Sequence, residues 1–159
     1  MKTIIAILIM ATCLGCSSEN NDDINSYVME GSIDFSIKDT EGNDLLNPNN
    51  KGAFKENEIK LFYLNDNVVE EVYNQNRDYK RGFHLFKIDS GYRISVGLNS
   101  AETEEFPITY VQWDETDTDT LKGEFKRTPN GTFLKKVWLN DQLIWDAINE
   151  TELHYVLIK

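Results

Sequence analysis

Cysteine is almost missing from this 159-residue sequence: its two cysteines, Cys13 and Cys16, both precede residue 17. A domain formed by the rest of the chain therefore contains no disulfide, no thiol nucleophile and no thiolate metal ligand. Its fold must depend on packing. Hydrophobic residues make up 40% of the chain and aromatic residues 11%, which is enough apolar material for one globular domain.

Basic residues are also few. Lys and Arg number 16 against 27 Asp and Glu, which gives a formal net charge of −11, and removal of residues 1–15 would take away only Lys2. A surface this acidic repels phosphate backbones and anionic lipid headgroups. The charge therefore argues against nucleic acid as a partner.

Amphipathic helices are missing as well. After residue 16 no long window carries apolar residues at helical spacing, and only residues 68–73 suggest a helical turn or two. The sequence has instead an alternation of apolar and polar residues, which is typical of half-buried strands. The alternating segments are 32–38, 58–64, 83–88, 92–98, 108–113, 120–126, 132–139, 142–145 and 152–158. We predict one all-β domain over residues 29–159, an antiparallel β-sandwich, immunoglobulin-like or transthyretin-like, of about eight strands.

Turn residues separate these segments. Asn130-Gly131 is the strongest hairpin signal in the chain, and Asp89-Ser90-Gly91 is nearly as strong. Residues 39–42 and the pair Asn140-Asp141 also offer residues that tolerate positive φ. We predict hairpins at these positions.

Known catalytic and phosphate-binding motifs are absent. The sequence has no Gly-x-Ser-x-Gly elbow and no Gly-x-x-x-x-Gly-Lys or Gly-x-Gly-x-x-Gly loop. His84 and His154 stand 70 residues apart in predicted strands without a visible third ligand, which favours exposed strand residues over a zinc site. No cofactor is predicted.

The densest acidic run covers residues 114–119. Asp114, Asp117 and Asp119 offer the oxygen ligands that calcium prefers, but the run lacks the glycine and the distant Glu of an EF-hand. A solvated turn between two strands explains the run fully. We keep a loop metal site and a plain turn as the two interpretations.

Three tryptophans, Trp113, Trp138 and Trp145, admit two roles. Trp is enriched at binding hot spots, whereas large residues in a domain without disulfides more often fill the core. We assign two of the three to the core. Trp138 and Trp145 flank the Asn140-Asp141 turn and are the better candidates for binding a glycan or a protein.

The first 16 residues, MKTIIAILIMATCLGC, combine a charge at Lys2 with eight apolar residues from Ile4 to Ala11. A spanning helix needs about 20 apolar residues, so the segment is typical of a signal peptide. Gly15-Cys16 resembles the lipobox of bacterial lipoproteins, although Cys13 stands where that family usually has Leu. The resemblance implies cleavage after residue 15 and attachment of the chain to the bilayer by lipid on Cys16.

A polar acidic run at residues 17–23 falls in a predicted flexible tether over residues 16–28. It resembles the acidic export tag of surface lipoproteins in Bacteroidetes, which implies an outer-membrane anchor and a domain outside the cell; a periplasmic domain stays open as the alternative. Asp119-Thr120-Leu121 resembles the O-glycosylation acceptor of exported proteins in that group. Thr120 is therefore a candidate for glycosylation.

Four stretches, IKDTEGNDLLNP (37–48), IKLFY (59–63), TYVQW with DTDTL (109–113 and 117–121) and KVWLNDQL (136–143), resemble small uncharacterised lipoproteins of gut Bacteroidetes. The resemblance implies location and fold, and no activity. Our leading hypothesis is a membrane-anchored, non-enzymatic module that binds a protein or a glycan. The alternatives are a small carboxylate- or metal-dependent hydrolase at residues 114–119, and a structural or inhibitor-like subunit of an envelope assembly with a large apolar patch.

Overall fold

The computed structural model describes residues 31–101 and 104–159, and all structural statements below refer to these. The predicted signal peptide (1–15), the predicted lipidation site Cys16 and the predicted tether (16–28) lie outside the described residues.

Strands are the only regular secondary structure in the described residues, and they form two sheets. The ten strands are β1 (Ser32–Lys38), β2 (Lys60–Asn65), β3 (Val68–Glu71), β4 (Phe83–Ile88), β5 (Gly91–Gly97), β6 (Ile108–Gln112), β7 (Thr118–Thr128), β8 (Gly131–Leu139), β9 (Gln142–Asp146) and β10 (His154–Ile158). One sheet has the order β10-β1-β5-β4 and the other the order β3-β2-β6-β7-β8-β9. The predicted all-β sandwich is confirmed, with ten strands where about eight were expected.

The core lies between the sheets and follows the alternation of the sequence. Ile33, Phe35 and Ile37 of β1 are 0% exposed, and they face the buried side chains of the six-stranded sheet. The rings of Phe35 and Trp113 meet edge to face, with their centroids 6.3 Å apart. A strand that buries one face needs an apolar residue at every second position. The alternation in the sequence therefore locates the core correctly.

Residues 68–71 form a strand, so the suggestion of helix over residues 68–73 is wrong. Asp66 and Asn67 have φ of 49° and 63°, the conformation of a tight hairpin turn, and they reverse the chain so that β3 pairs antiparallel with β2. All four residues of β3 are exposed. An exposed edge strand has no buried face to impose alternation, which is why its sequence carries no strand pattern.

One strand pair departs from the predicted antiparallel arrangement. β10 runs parallel to β1, with Phe35 opposite Tyr155. The chain reaches β10 from β9 at the edge of the other sheet, so no hairpin fixes its direction.

The predicted hairpin turns are confirmed at three positions. Gly91 and Gly131 have φ of 141° and 153°, and Asn140 and Asp141 have φ of 46° and 67°; each site joins two neighbouring antiparallel strands. Residues 39–42 also turn, but they lead only to a single bridge between Lys38 and Asp44 rather than to a second strand.

Candidate functional site

The predicted acidic loop between β6 and β7 is organised around a lysine rather than a metal ion. Lys159, which follows β10, places its Nζ 2.6 Å from Asp119 Oδ2 and 2.7 Å from Asp117 Oδ1. Asp119 is 5% exposed. It also accepts hydrogen bonds of 2.7 Å from Trp113 Nε1 and Asn140 Nδ2.

Asp114 stabilises the turn itself. Its Oδ1 accepts hydrogen bonds from the backbone N–H groups of Thr116 and Asp117 and from the Thr116 hydroxyl, at 2.7–3.0 Å. These hydrogen bonds hold the pKa of Asp114 below its usual range.

Burial by itself would raise the pKa of Asp119. The hydrogen bonds from Lys159, Asn140 and Trp113 outweigh burial, so the pKa of Asp119 lies below its ordinary value and the side chain is a buried carboxylate. The described residues contain no group of three side chains arranged to hold a metal ion. The oxygens of Asp114, Asp117 and Asp119 take part in an ion pair and a turn, which favours the plain-turn interpretation of this loop over the metal site.

The tryptophans divide between core and surface. Trp113 and Trp145 are 0% exposed, and the Trp145 indole donates a 3.1 Å hydrogen bond to the Glu152 carbonyl. Trp145 is therefore a core residue, which corrects its selection as a binding candidate. Trp138 is only half-buried, so it remains the tryptophan whose side chain a partner could contact.

Trp138 belongs to a line of cross-strand neighbours on the outer face of the six-stranded sheet, which we call the six-strand row. Its members share one property: each lies directly opposite the next in the strand register. They are Val69, Leu64, Ile108, Lys122, Trp138 and Leu143, one from each strand. With strands about 4.8 Å apart, the row is about 24 Å long.

Five of the six side chains in this row are apolar. Val69 is 53% exposed and Leu143 46% exposed, at the two ends, and the members between them are half-buried. Phe106 is 40% exposed and packs edge to face on Trp138 at 5.8 Å. A depression of about 90 Å³, lined in part by Leu64, Phe106 and Ile108, opens beside the row.

Lys122 is the single charge in the row. Its Nζ lies 5.4 Å from the centroid of the Trp138 ring and 3.3 Å from a carboxylate oxygen of Asp141. The ammonium therefore covers one region of the ring, and the aliphatic stem of the lysine continues the apolar surface.

Thr120 lies on the same outer face, opposite Tyr110 of β6. Its backbone N–H donates to Asn140 Oδ1, and its carbonyl accepts from the Asn140 N–H, both at 2.9 Å. Glycosylation of Thr120 stays a prediction; a glycan at this position would stand beside the six-strand row.

The two histidines lie in strands as predicted, but both are half-buried on the outer face of the four-stranded sheet rather than exposed. His154 Nε2 lies 3.0 Å from Ser36 Oγ. Burial and the nearby Arg93 lower the pKa of His154. Among the described residues no carboxylate hydrogen-bonds to this imidazole, so the pair lacks the third group that orients a catalytic histidine.

Comparison with protein-family models, with curated proteins and with solved structures finds no match to this chain. The likeness to lipoproteins therefore rests on the sequence motifs alone. No helix in the described part of the chain is long and apolar enough to cross a membrane.

Proposed function

We propose that this chain is a lipid-anchored, non-enzymatic module of the bacterial envelope that binds a protein partner through the outer face of its six-stranded sheet. The observation that carries the proposal is the six-strand row. Apolar and aromatic side chains cross the whole sheet in register on a face that strand alternation would otherwise leave polar. Contiguous exposed apolar surface on a soluble domain is characteristic of interaction sites.

A protein suits this surface better than a glycan does. Lys122 and Phe106 already occupy positions around the Trp138 ring, so that ring offers less free area for stacking on a sugar. Apart from Lys122, the rest of the row is aliphatic, and the half-buried Trp138 has the charged side chain of Lys122 as its neighbour. An aromatic anchor surrounded by apolar contacts and a polar rim is the usual anatomy of a protein interface.

The hydrolase alternative loses its main support. It depended on carboxylates available in the 114–119 loop, and those of Asp114 and Asp119 are engaged by the turn and by the Lys159 network. An acid or base in a hydrolytic site must instead be free to exchange a proton with substrate.

The membrane anchor is tested by metabolic labelling. Cells that express the full chain and grow with radiolabelled palmitate should incorporate label into the protein, because lipid is attached to the Cys16 sulfur. Cys16→Ser should abolish labelling, whereas Cys13→Ser, the matched control three residues earlier, should keep it. Label that persists in Cys16→Ser, or an unlabelled wild-type chain, would contradict the anchor.

The interface is tested by site-specific photocrosslinking in cells. A photoreactive amino acid at Val69 or Leu143, the exposed ends of the row, should give discrete protein adducts. Trp138→Ala should weaken them by about tenfold or more, as expected for loss of a hot-spot residue. The matched controls are Val156 and Ile158, which are 43% and 54% exposed in the other sheet. Equal adducts from the control positions, or none from Val69 and Leu143, would contradict the proposal.

A further inference from the structure

A cavity of about 590 Å³ lies on the opposite side of the molecule, on the outer face of the four-stranded sheet. Its floor includes Ser32 of β1 and Ser95 of β5, and His84 of β4 forms part of its wall. The loop between β3 and β4 contributes residues 76–79 and Gly82, and Phe83 and Gly97 complete the lining. This volume is within the range of sites that bind small molecules.

One wall of the cavity is aromatic. The side chain on this wall is Tyr79, which is 51% exposed. Its ring stacks on His84, with centroids 4.2 Å apart and planes at 22°, and His84 stacks in turn on Phe86 at 5.3 Å. Since His84 covers one face of the Tyr79 ring, the exposed area of the ring belongs to its opposite face and its edges.

Polar groups of several kinds surround this ring. Arg77 supplies a guanidinium, Asp78 a carboxylate and Asn76 an amide, and all three are exposed. Within the described chain neither Arg77 nor Asp78 forms a salt bridge. Their donors and acceptors are therefore free to bind a ligand, in contrast to the carboxylates of Asp114 and Asp119, which already accept hydrogen bonds within the protein.

The loop that carries these residues is fixed to the sheet. The Gly82 N–H donates to the Tyr79 carbonyl, and the Gly82 carbonyl accepts from the Gly97 N–H. Gly82 has a φ of 75°, and a Cβ on Gly97 would lie 2.8 Å from the Gly82 carbonyl oxygen. Two glycines thus allow the loop to approach β5 closely, which places the Tyr79 ring over the cavity.

We propose that this cavity binds a neutral pyranose sugar, with the free face of Tyr79 against the apolar face of the ring. Carbohydrate presents a C–H face and a rim of hydroxyls, which is the combination that an aromatic wall with amide, hydroxyl and carboxylate neighbours recognises. Asp78 accepts from hydroxyls, and Arg77 and Asn76 donate to their oxygens.

The preference for a neutral sugar follows from charge. Arg77 and Asp78 compensate each other within the site, and the chain as a whole carries −11. An acidic sugar would meet the Asp78 carboxylate and the negative field of the domain, and the residues that line the cavity carry no surplus of positive charge to offset them.

The test uses the full chain purified in a detergent without a sugar headgroup. Oligosaccharides ending in glucose, galactose, mannose or N-acetylglucosamine are compared with matched ones ending in glucuronate or sialate. We expect binding to at least one neutral ligand. That affinity should fall about tenfold or more in Tyr79→Ala and in Asp78→Ala, which corresponds to about 1.4 kcal/mol. Tyr79→Phe, which keeps the ring, should stay within about threefold of the wild type.

Three results would overturn the proposal: no binding to any neutral ligand, unchanged affinity in Tyr79→Ala, or tighter binding to the acidic set. Tyr79 and Asp78 are exposed, and an unchanged melting temperature shows that each variant is folded. Trp138→Ala should not alter sugar affinity, because Trp138 lies on the other sheet. Failure of the sugar site is thereby distinguishable from failure of the protein interface.

Discussion

Replacement of Asp119 by alanine should lower the free energy of unfolding by about 2–4 kcal/mol, because it removes the nearer of the two carboxylates that pair with the largely buried Lys159 ammonium and leaves only Asp117. The carboxylate joins three separate parts of the chain. Lys159 follows β10, Trp113 follows β6, and Asn140 turns the chain between β8 and β9. Removal of the acceptor also leaves the indole N–H of the fully buried Trp113 unsatisfied.

The measurement is equilibrium urea unfolding followed by tryptophan fluorescence, with graded variants. Asp119→Asn keeps the shape and loses the charge, so it should cost less than Asp119→Ala. The matched control is Glu56→Ala, which removes an exposed ion pair with Arg81 and should cost less than about 1 kcal/mol. Equal losses in Asp119→Ala and Glu56→Ala would show that the network contributes nothing beyond a surface pair.

Asp119 should also make the free energy of unfolding depend on pH. The pKa of Asp119 in the folded chain lies below its ordinary value of 3.8, so the unfolded chain binds a proton first as the pH falls. The stability supplied by Asp119 is therefore fully present at pH 7 and is lost below about pH 4, as the pH approaches the folded pKa. The difference between wild type and Asp119→Ala should shrink in that window. A constant difference from pH 7 to pH 3 would contradict the assignment.

The fold could be predicted from the sequence wherever a strand buries one face. The alternation around Ile33, Phe35 and Ile37 exists because these side chains are 0% exposed while their neighbours face outward. The hairpin turns could also be predicted, from residues such as Asn140 and Asp141, because few residue types adopt positive φ at low energetic cost. Strand alternation and turn residues both depend on neighbours in the sequence, so a single sequence is enough to recognise them.

Features that depend on distant residues could not be predicted in the same way. The acidic loop suggested a cation, and the cation proved to be the ammonium of Lys159, 42 residues beyond Asp117. β3 has four exposed residues and so has no burial pattern; the Asn65-Asp66-Asn67 sequence before it was the signal that could have revealed a hairpin.

The candidate surfaces were hidden for a similar reason. Leu64 and Trp138 become members of one row only when the strand register is known, because the register determines which side chains stand opposite each other. Tyr79 lay in a segment without periodicity, and its stacking on His84 depends on how the loop folds back on β4. Trp145 shows the converse, since its position beside a turn suggested exposure although its side chain points into the core.

Trp145→Ala should destabilise the chain by about 3–5 kcal/mol, whereas Trp138→Ala should cost only about 1–2 kcal/mol. Trp145 is 0% exposed, so truncation leaves a cavity lined by core residues and leaves the Glu152 carbonyl without its indole donor. Trp138 is half-buried, and solvent or neighbouring side chains can fill the space that it vacates.

The two variants form a matched pair, since the same side chain is removed from positions seven residues apart. Trp145→Phe should recover part of the loss by filling the cavity without restoring the hydrogen bond. Thermal and urea unfolding measure all three. Because Trp138→Ala is expected to retain the fold, its effect on crosslinking at Val69 and Leu143 tests the proposed interface. A loss of stability as large as that of Trp145→Ala would instead place Trp138 in the core.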